Sequence, residues 1–131
     1  MMGAMANNPI RHITVDAHDP LKIAQFWAVV TGYALHEESD SEEALLTPSF
    51  EQSPGLLFIA VPEDKTGKNR FHLDIEPHTG TRDEFVETML AHGATIYQDH
   101  RKPDGTGWVT MRDPEGNEFC VERSAAERLP A

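Results

Sequence analysis

The chain states the same order of words twice, sixty or sixty-one residues apart. His12-Ile13-Thr14-Val15-Asp16 opens the first half, and His72-Leu73-Asp74-Ile75-Glu76 opens the second. A helical stretch follows each and stops at a glycine, Gly32 or Gly93. Each half then closes on Gly-x-x-Phe, Gly55 to Phe58 and Gly116 to Phe119. Such a repeat exceeds a solenoid unit, whose period is about 20–50 residues. It implies two copies of one module joined face to face, with a shared cleft in which function is sought.

Other properties narrow the field. With 131 residues and 39% apolar content the chain can build one core of ordinary size. A net charge of −11 opposes binding to nucleic acid or anionic membranes, since phosphate attracts Lys and Arg and repels such a surface. No run approaches a membrane span. The single Cys120 excludes an internal disulfide and fits a reducing cytoplasm. Met1-Met2-Gly3-Ala4-Met5 lacks the basic flank and apolar stretch of a secretory signal. Residues 1–9 are read as a disordered start or tag remnant. Residues 10–123 form one domain of two modules, 10–63 and 70–123, and 124–131 form a C-terminal tail with a short helix.

Within the first module, residues 10–17 alternate as a strand does. Asp19-Pro20 reads as an N-cap followed by proline at the first helical position. Leu21, Ala24, Phe26, Trp27 and Val30 form the apolar stripe of a helix ending near Thr31. Residues 33–37, 43–47 and 56–61 are three further strands. The polar run 62–69 is the linker. The second module repeats the order, with a strand at 70–76 and a capping box from Thr81 to Glu84. Its helical stripe is Phe85, Val86, Met89 and Leu90. Strands follow at 94–98, 108–112 and 118–122. Asp104 to Gly107 is a flexible loop, and Asp113 and Asn117 form a tight turn into the last strand. The remaining histidines, His18, His36, His78, His92 and His100, are read as solvated.

The order βαβββ-βαβββ, with His12 to Asp19, Phe26-Trp27, Gly32-Tyr33, Gly67 to Asp74 and Asp113 to Val121, resembles the vicinal-oxygen-chelate superfamily. Within it the chain is most similar to bacterial glyoxalase-like domain proteins, relatives of glyoxalase I, the bleomycin-resistance proteins and the extradiol dioxygenases. The resemblance spans residues 10–123. It implies an α+β fold of paired βαβββ modules forming curled mixed sheets around a shared cleft. It also implies a homodimer and, in many members, a divalent metal. That metal is held by inward side chains on the first and last strand of each module. Glyoxalase I-like members use four such positions, and dioxygenase-like members use His, His and Glu.

Here those positions carry His12, His72, Ile59 and Cys120. Two histidines remain, one position is apolar and one is a thiol. Two histidines and a carboxylate would suit oxygen chemistry, and Cys120 breaks that pattern. With Ile59 and Cys120 at both positions where the resemblance implies a carboxylate, ordinary glyoxalase I activity is not expected. The leading expectation is a protein that binds a small organic molecule without the usual metal. It acts either by sequestration, as in resistance proteins, or by metal-free chemistry in secondary metabolism. His12, Thr14, Leu57, Ile59, His72, Asp74, Trp108 and Cys120 wall its cleft, and His72 and His12 serve as polar anchors or as acid and base. Asp74 and Glu76 share the face of His72 and can orient it. The alternative is a metal-dependent lyase, isomerase or dioxygenase. It would hold zinc or iron with His12, His72 and either Cys120 or Glu122. Cys120 is read as an inert wall residue rather than a nucleophile.

Overall fold

The computed structural model describes residues 8–49 and 53–129. Residues 1–7 of the expected disordered or tag-derived start, and the last two of the tail, lie outside the described residues. The chain forms two compact units, Met1–Pro62 and Glu63–Ala131. Each is α+β, with one four-stranded mixed sheet.

In the first unit, β1 (His12–Ala17) leads to α1 (Pro20–Thr31), then β2 (Ala34–Leu35), β3 (Glu43–Thr47) and β4 (Gly55–Ala60). The sheet order is β1-β4-β3-β2. β1 runs parallel to β4, and the other pairs are antiparallel. Asp19 begins α1 as the sequence predicts: its Oδ1 accepts the Lys22 N–H at 3.2 Å. Gly32 ends it at φ +73, in the left-handed region that glycine enters without steric cost. Ile23, Ala24, Phe26, Trp27 and Val30 are buried on α1. They cover the sheet face that buries Ala44, Leu46, Leu56 and Phe58. Phe58 is fully buried, and its truncation to alanine would cost about 3–5 kcal/mol.

The second unit repeats the order with β5 (Asp74–Ile75), α2 (Arg82–Ala91), β6 (Thr95–Asp99), β7 (Val109–Arg112) and β8 (Glu118–Val121). Its sheet order is β5-β8-β7-β6, again with one parallel pair, β5 with β8. The Thr81–Glu84 capping box at the start of α2 is complete in both directions. Val86 and Met89 are buried on α2, and Val109, Met111, Phe119 and Val121 are buried on one face of the sheet. The expected short helix follows as α3 (Ala125–Arg128). Its Glu127 accepts the Arg82 N–H at 2.6 Å and the Ser124 N–H at 2.9 Å, so the tail caps the start of α2.

The strand expected over 70–76 is reduced to two residues. Asn69 supplies the reason. Its side-chain amide donates to the Glu118 carbonyl at 3.3 Å, and its N–H donates to Glu118 Oε1 at 3.3 Å. Side-chain partners thus hold the place where a longer ladder would continue.

This shortening shifts the internal repeat. In the first unit His12 pairs with Gly55 and Asp16 with Ile59. In the second, Asp74 pairs with Cys120. When the two Gly-x-x-Phe strands are superposed in sequence, Ile59 matches Cys120 and Asp16 matches Asp74. His72 then matches Thr14. The two histidines, matched by sequence order, stand two residues out of step in register.

Candidate functional site

Strand alternation sorts the expected site residues. In the first unit, α1 covers one sheet face. The other face carries His12, Thr14 and Asp16 from β1, Leu57 and Ile59 from β4, and Leu45 and Glu43 from β3. Leu45 and Leu57 are half-buried there, and Ile59 is 37% exposed. This face is an apolar strip bordered by polar groups. His12 lies over Gly55: a Cβ on Gly55 would meet His12 Cδ2 at 3.2 Å and the Leu46 carbonyl oxygen at 2.9 Å. Glycine is therefore required there for His12 and β3 to approach.

In the second unit the register aligns Asp74 of β5, Cys120 of β8, Thr110 of β7 and Gln98 of β6 in one row across the sheet. His72 lies against this row. Its Nδ1 is 3.3 Å from Asp74 Oδ1 and 3.9 Å from Cys120 Sγ. On its other side Cys120 Sγ contacts Thr110 Oγ1 at 3.4 Å. His72 and Asp74 are exposed, whereas Cys120 is buried.

The thiol has its pKa pushed up. Burial is the main cause; the Thr110 hydroxyl opposes it, and the neighbouring Asp74 carboxylate adds to it. The resting group is therefore a neutral S–H, a weak donor suited to hydrogen bonding rather than a ready nucleophile.

The row continues toward the loop between β6 and β7. His100 Nε2 meets Gln98 Oε1 at 3.2 Å. The His100 ring stacks on Trp108, with centroids 4.6 Å apart and planes 28° apart. His100, read from sequence as solvated, is thus part of this surface. The loop read as flexible is fastened. Arg82, buried at the start of α2, donates from one guanidinium nitrogen to the carbonyls of Gly105, Thr106 and Gly107 at 3.2, 3.1 and 3.0 Å.

Sequence reading missed both His100 and Arg82. The signal for His100 was available: a Gly-rich hairpin brings its two flanking residues together, here through His100 N–H to the Trp108 carbonyl at 2.9 Å. Nothing in the sequence pointed to Arg82.

His72, Asp74 and Cys120 are the one group of three potential metal donors among the described residues, with donor atoms all within 4.8 Å of one another. An imidazole, a carboxylate and a thiol with an open fourth position make a donor set that suits zinc. It is a poorer match to the two histidines and carboxylate that suit iron oxygen chemistry. The sequence reading offered His12 and His72 with either Cys120 or Glu122; the group found keeps His72 and Cys120 and has Asp74 in place of His12. Glu76 does not orient His72; it pairs with Arg128 at 2.5 Å.

Glu118, two residues before Cys120, serves the structure. It is fully buried, with Lys65 Nζ 3.1 Å from Oε2 and the Asn69 N–H on Oε1. Burial pushes its pKa up, but Lys65 and the backbone N–H groups outweigh that and hold the carboxyl below its ordinary range. It is committed to pinning residues 65–69.

The comparisons with known proteins agree with this architecture. The profile of the glyoxalase-like domain family matches residues 12–122. The chain belongs to that family, within the vicinal-oxygen-chelate superfamily. A glyoxalase/bleomycin resistance protein/dioxygenase family enzyme from Burkholderia phytofirmans PsJN is similar at TM-score 0.69 and 18% identity, over 87% of this chain and 97% of that one. A lactoylglutathione lyase from Agrobacterium tumefaciens is similar at 0.60 and 19%, over 92% and 96%. The fosfomycin resistance protein FosX from Mesorhizobium loti is similar at 0.64 and 14%, over 98% of each chain. At these identities the likeness establishes the fold alone. No curated protein matches the chain. Among the described residues no helix is long and apolar enough to cross a membrane.

Proposed function

We propose that this protein binds a small organic molecule without the metal usual in its superfamily. The observation that carries the reading is the grouping of His72, Asp74, Cys120 and Thr110 on one sheet face, with the thiol kept neutral. Such a face offers a donor, an acceptor and an imidazole to a ligand. His72, ion-paired with Asp74 when protonated, is the group placed to act as acid or base. The first unit's own open face carries His12 and Thr14 as polar groups beside Leu57 and Ile59. One form of this function is sequestration of a small antibiotic-like compound; a fold neighbour at 14% identity is a fosfomycin resistance protein. The protein acts as a homodimer in the cytoplasm.

The proximity of three donors supports a second reading, a metal-dependent lyase, isomerase or dioxygenase. His72, Asp74 and Cys120 would hold zinc, and the metal would supply Lewis-acid polarisation of a substrate oxygen. Elemental analysis of tag-free protein, wild type and His72→Ala, after incubation with excess zinc or ferrous ion, separates the two. The first reading expects no retained metal. Near-stoichiometric metal that vanishes in the variant overturns it in favour of the second. Thermal-shift screening then identifies the ligand, because a bound molecule stabilises the fold according to its affinity and concentration.

A further inference from the structure

Trp108 is 41% exposed, yet it is held more firmly than a surface residue requires. Its ring rests on His100, which is itself held by Gln98. The backbone before it is fixed by three carbonyl contacts from Arg82. Gly107 has φ +92, and a Cβ there would lie 1.9 Å from the His100 carbonyl oxygen, so the chain closes tightly at this point. Arg101 adds a second tie, bridging Asp99 at 2.6 Å and Asp83 at 3.2 Å. Burying a guanidinium costs free energy unless its protons are partnered. Here the partners are Asp83 at 3.0 Å and the three residues that precede Trp108.

No core requires this arrangement, because the indole it positions stays largely outside the core. What it produces is a flat aromatic surface that is already ordered. A planar ring stacking there would bury area without the entropic cost of ordering a side chain. Beside it run Gln98, Thr110, Cys120 and Asp74, which suit polar substituents.

We infer that the Trp108–His100 pair is a stacking subsite for the planar aromatic part of the ligand, and that Arg82 is its positioning residue. The inference rests on the small-molecule reading above and adds to it the chemical class of the ligand.

The test follows the two indole N–H signals by NMR, with Trp108→Phe assigning them, during titration with naphthol and with its saturated counterpart decahydronaphthol. Naphthol is expected to shift the Trp108 signal saturably and decahydronaphthol is not, while the buried Trp27 stays in place. Arg82→Met, which keeps an unbranched stem but removes every donor to the three carbonyls, is expected to weaken naphthol binding about tenfold and to broaden the Trp108 signal, again without moving Trp27. If that variant does not fold, Trp108→Leu carries the test, since it leaves Arg82 intact and must abolish the preference for naphthol. Equal binding of the two probes overturns the subsite. So does a naphthol complex in which Trp108 is unmoved, although that leaves small-molecule binding standing. Unchanged affinity in folded Arg82→Met overturns the positioning role. The absence of any saturable shift overturns the subsite and counts against the binding reading as well.

Discussion

Cys120 Sγ lies 3.4 Å from Thr110 Oγ1 across the β7–β8 pair, and 3.9 Å from His72 Nδ1 on its other side. The thiol therefore has a hydroxyl and an imidazole as neighbours, but burial and the Asp74 carboxylate disfavour its anion. Iodoacetamide should alkylate native Cys120 at pH 8 more slowly than it alkylates free cysteine, because only thiolate reacts. Thr110→Val removes the one contact that favours the anion and should slow the reaction further. Labelling of the native protein as fast as that of free cysteine would falsify the neutral-thiol description.

Glu118 should make the fold acid-sensitive. Its folded-state pKa lies below the ordinary 4.5. The unfolded chain therefore takes up the proton more readily. The stabilisation is fully present above pH 4.5 and fades as pH falls through the lower folded-state value. Melting temperature measured from pH 7 down to pH 3 should decline most steeply below 4.5. Glu118→Gln should be less stable at neutral pH and show a flatter profile, because the ion pair with Lys65 is already gone. Identical profiles for the two proteins would refute the assignment.

Asp99 should contribute in the same direction through a more exposed pair. Hydrogen bonding to Arg101 lowers its pKa from 3.8 to about 2. Its contribution is present above pH 3.8 and is lost as pH falls toward 2. Solvent screening keeps it small. Raising salt to ~1 M should shrink but not erase the difference in melting temperature between wild type and Asp99→Asn, since the pair stands at 2.6 Å, inside the screening length of about 3 Å at that ionic strength, and the Arg101 N–H also donates to Asp99.

Gly107 and Gly105 offer a matched pair. Both have positive φ, +92 and +90, but a Cβ on Gly105 meets nothing within 4 Å, whereas one on Gly107 collides with the His100 carbonyl. Gly105→Ala should cost about 1–3 kcal/mol from backbone strain alone. Gly107→Ala should cost clearly more and should also disturb the Trp108–His100 stack. Chemical denaturation with Trp fluorescence reads both effects, and equal losses for the two variants would contradict the crowding at Gly107.

Thr81→Ala should destabilise by about 1 kcal/mol. It removes the hydroxyl that accepts the Glu84 N–H at 3.1 Å and donates to Glu84 Oε1 at 3.1 Å, while the backbone N–H of residue 81 keeps its bond to that carboxylate. The loss should register in the denaturation midpoint without a change in slope.

Much of this protein was legible in its residues because the signals are local or periodic. Alternation on β1 and β4, the caps at Asp19, Gly32 and Thr81, and the Asp113–Asn117 turn all depend on neighbours within a few positions. The Asp113 carboxylate accepts the Glu115 and Asn117 N–H groups at 2.9 Å, as the pattern implies. Repetition of these signals after about sixty residues determined the paired βαβββ order and the family.

The site depended on tertiary structure. Which donor joins His72 and Cys120 is set by the parallel register of β5 on β8, which puts Asp74 beside Cys120. That register hangs on Asn69 and Lys65 reaching Glu118, about fifty residues away in sequence. Arg82 reads as one more charged residue at a helix start. Only folding turns it inward against the carbonyls that hold Trp108. Sequence patterns record which face a side chain takes along its own element. They do not record the long-range hydrogen bonds that decide which strand is shortened, how two strands align, and which buried polar group secures a distant loop.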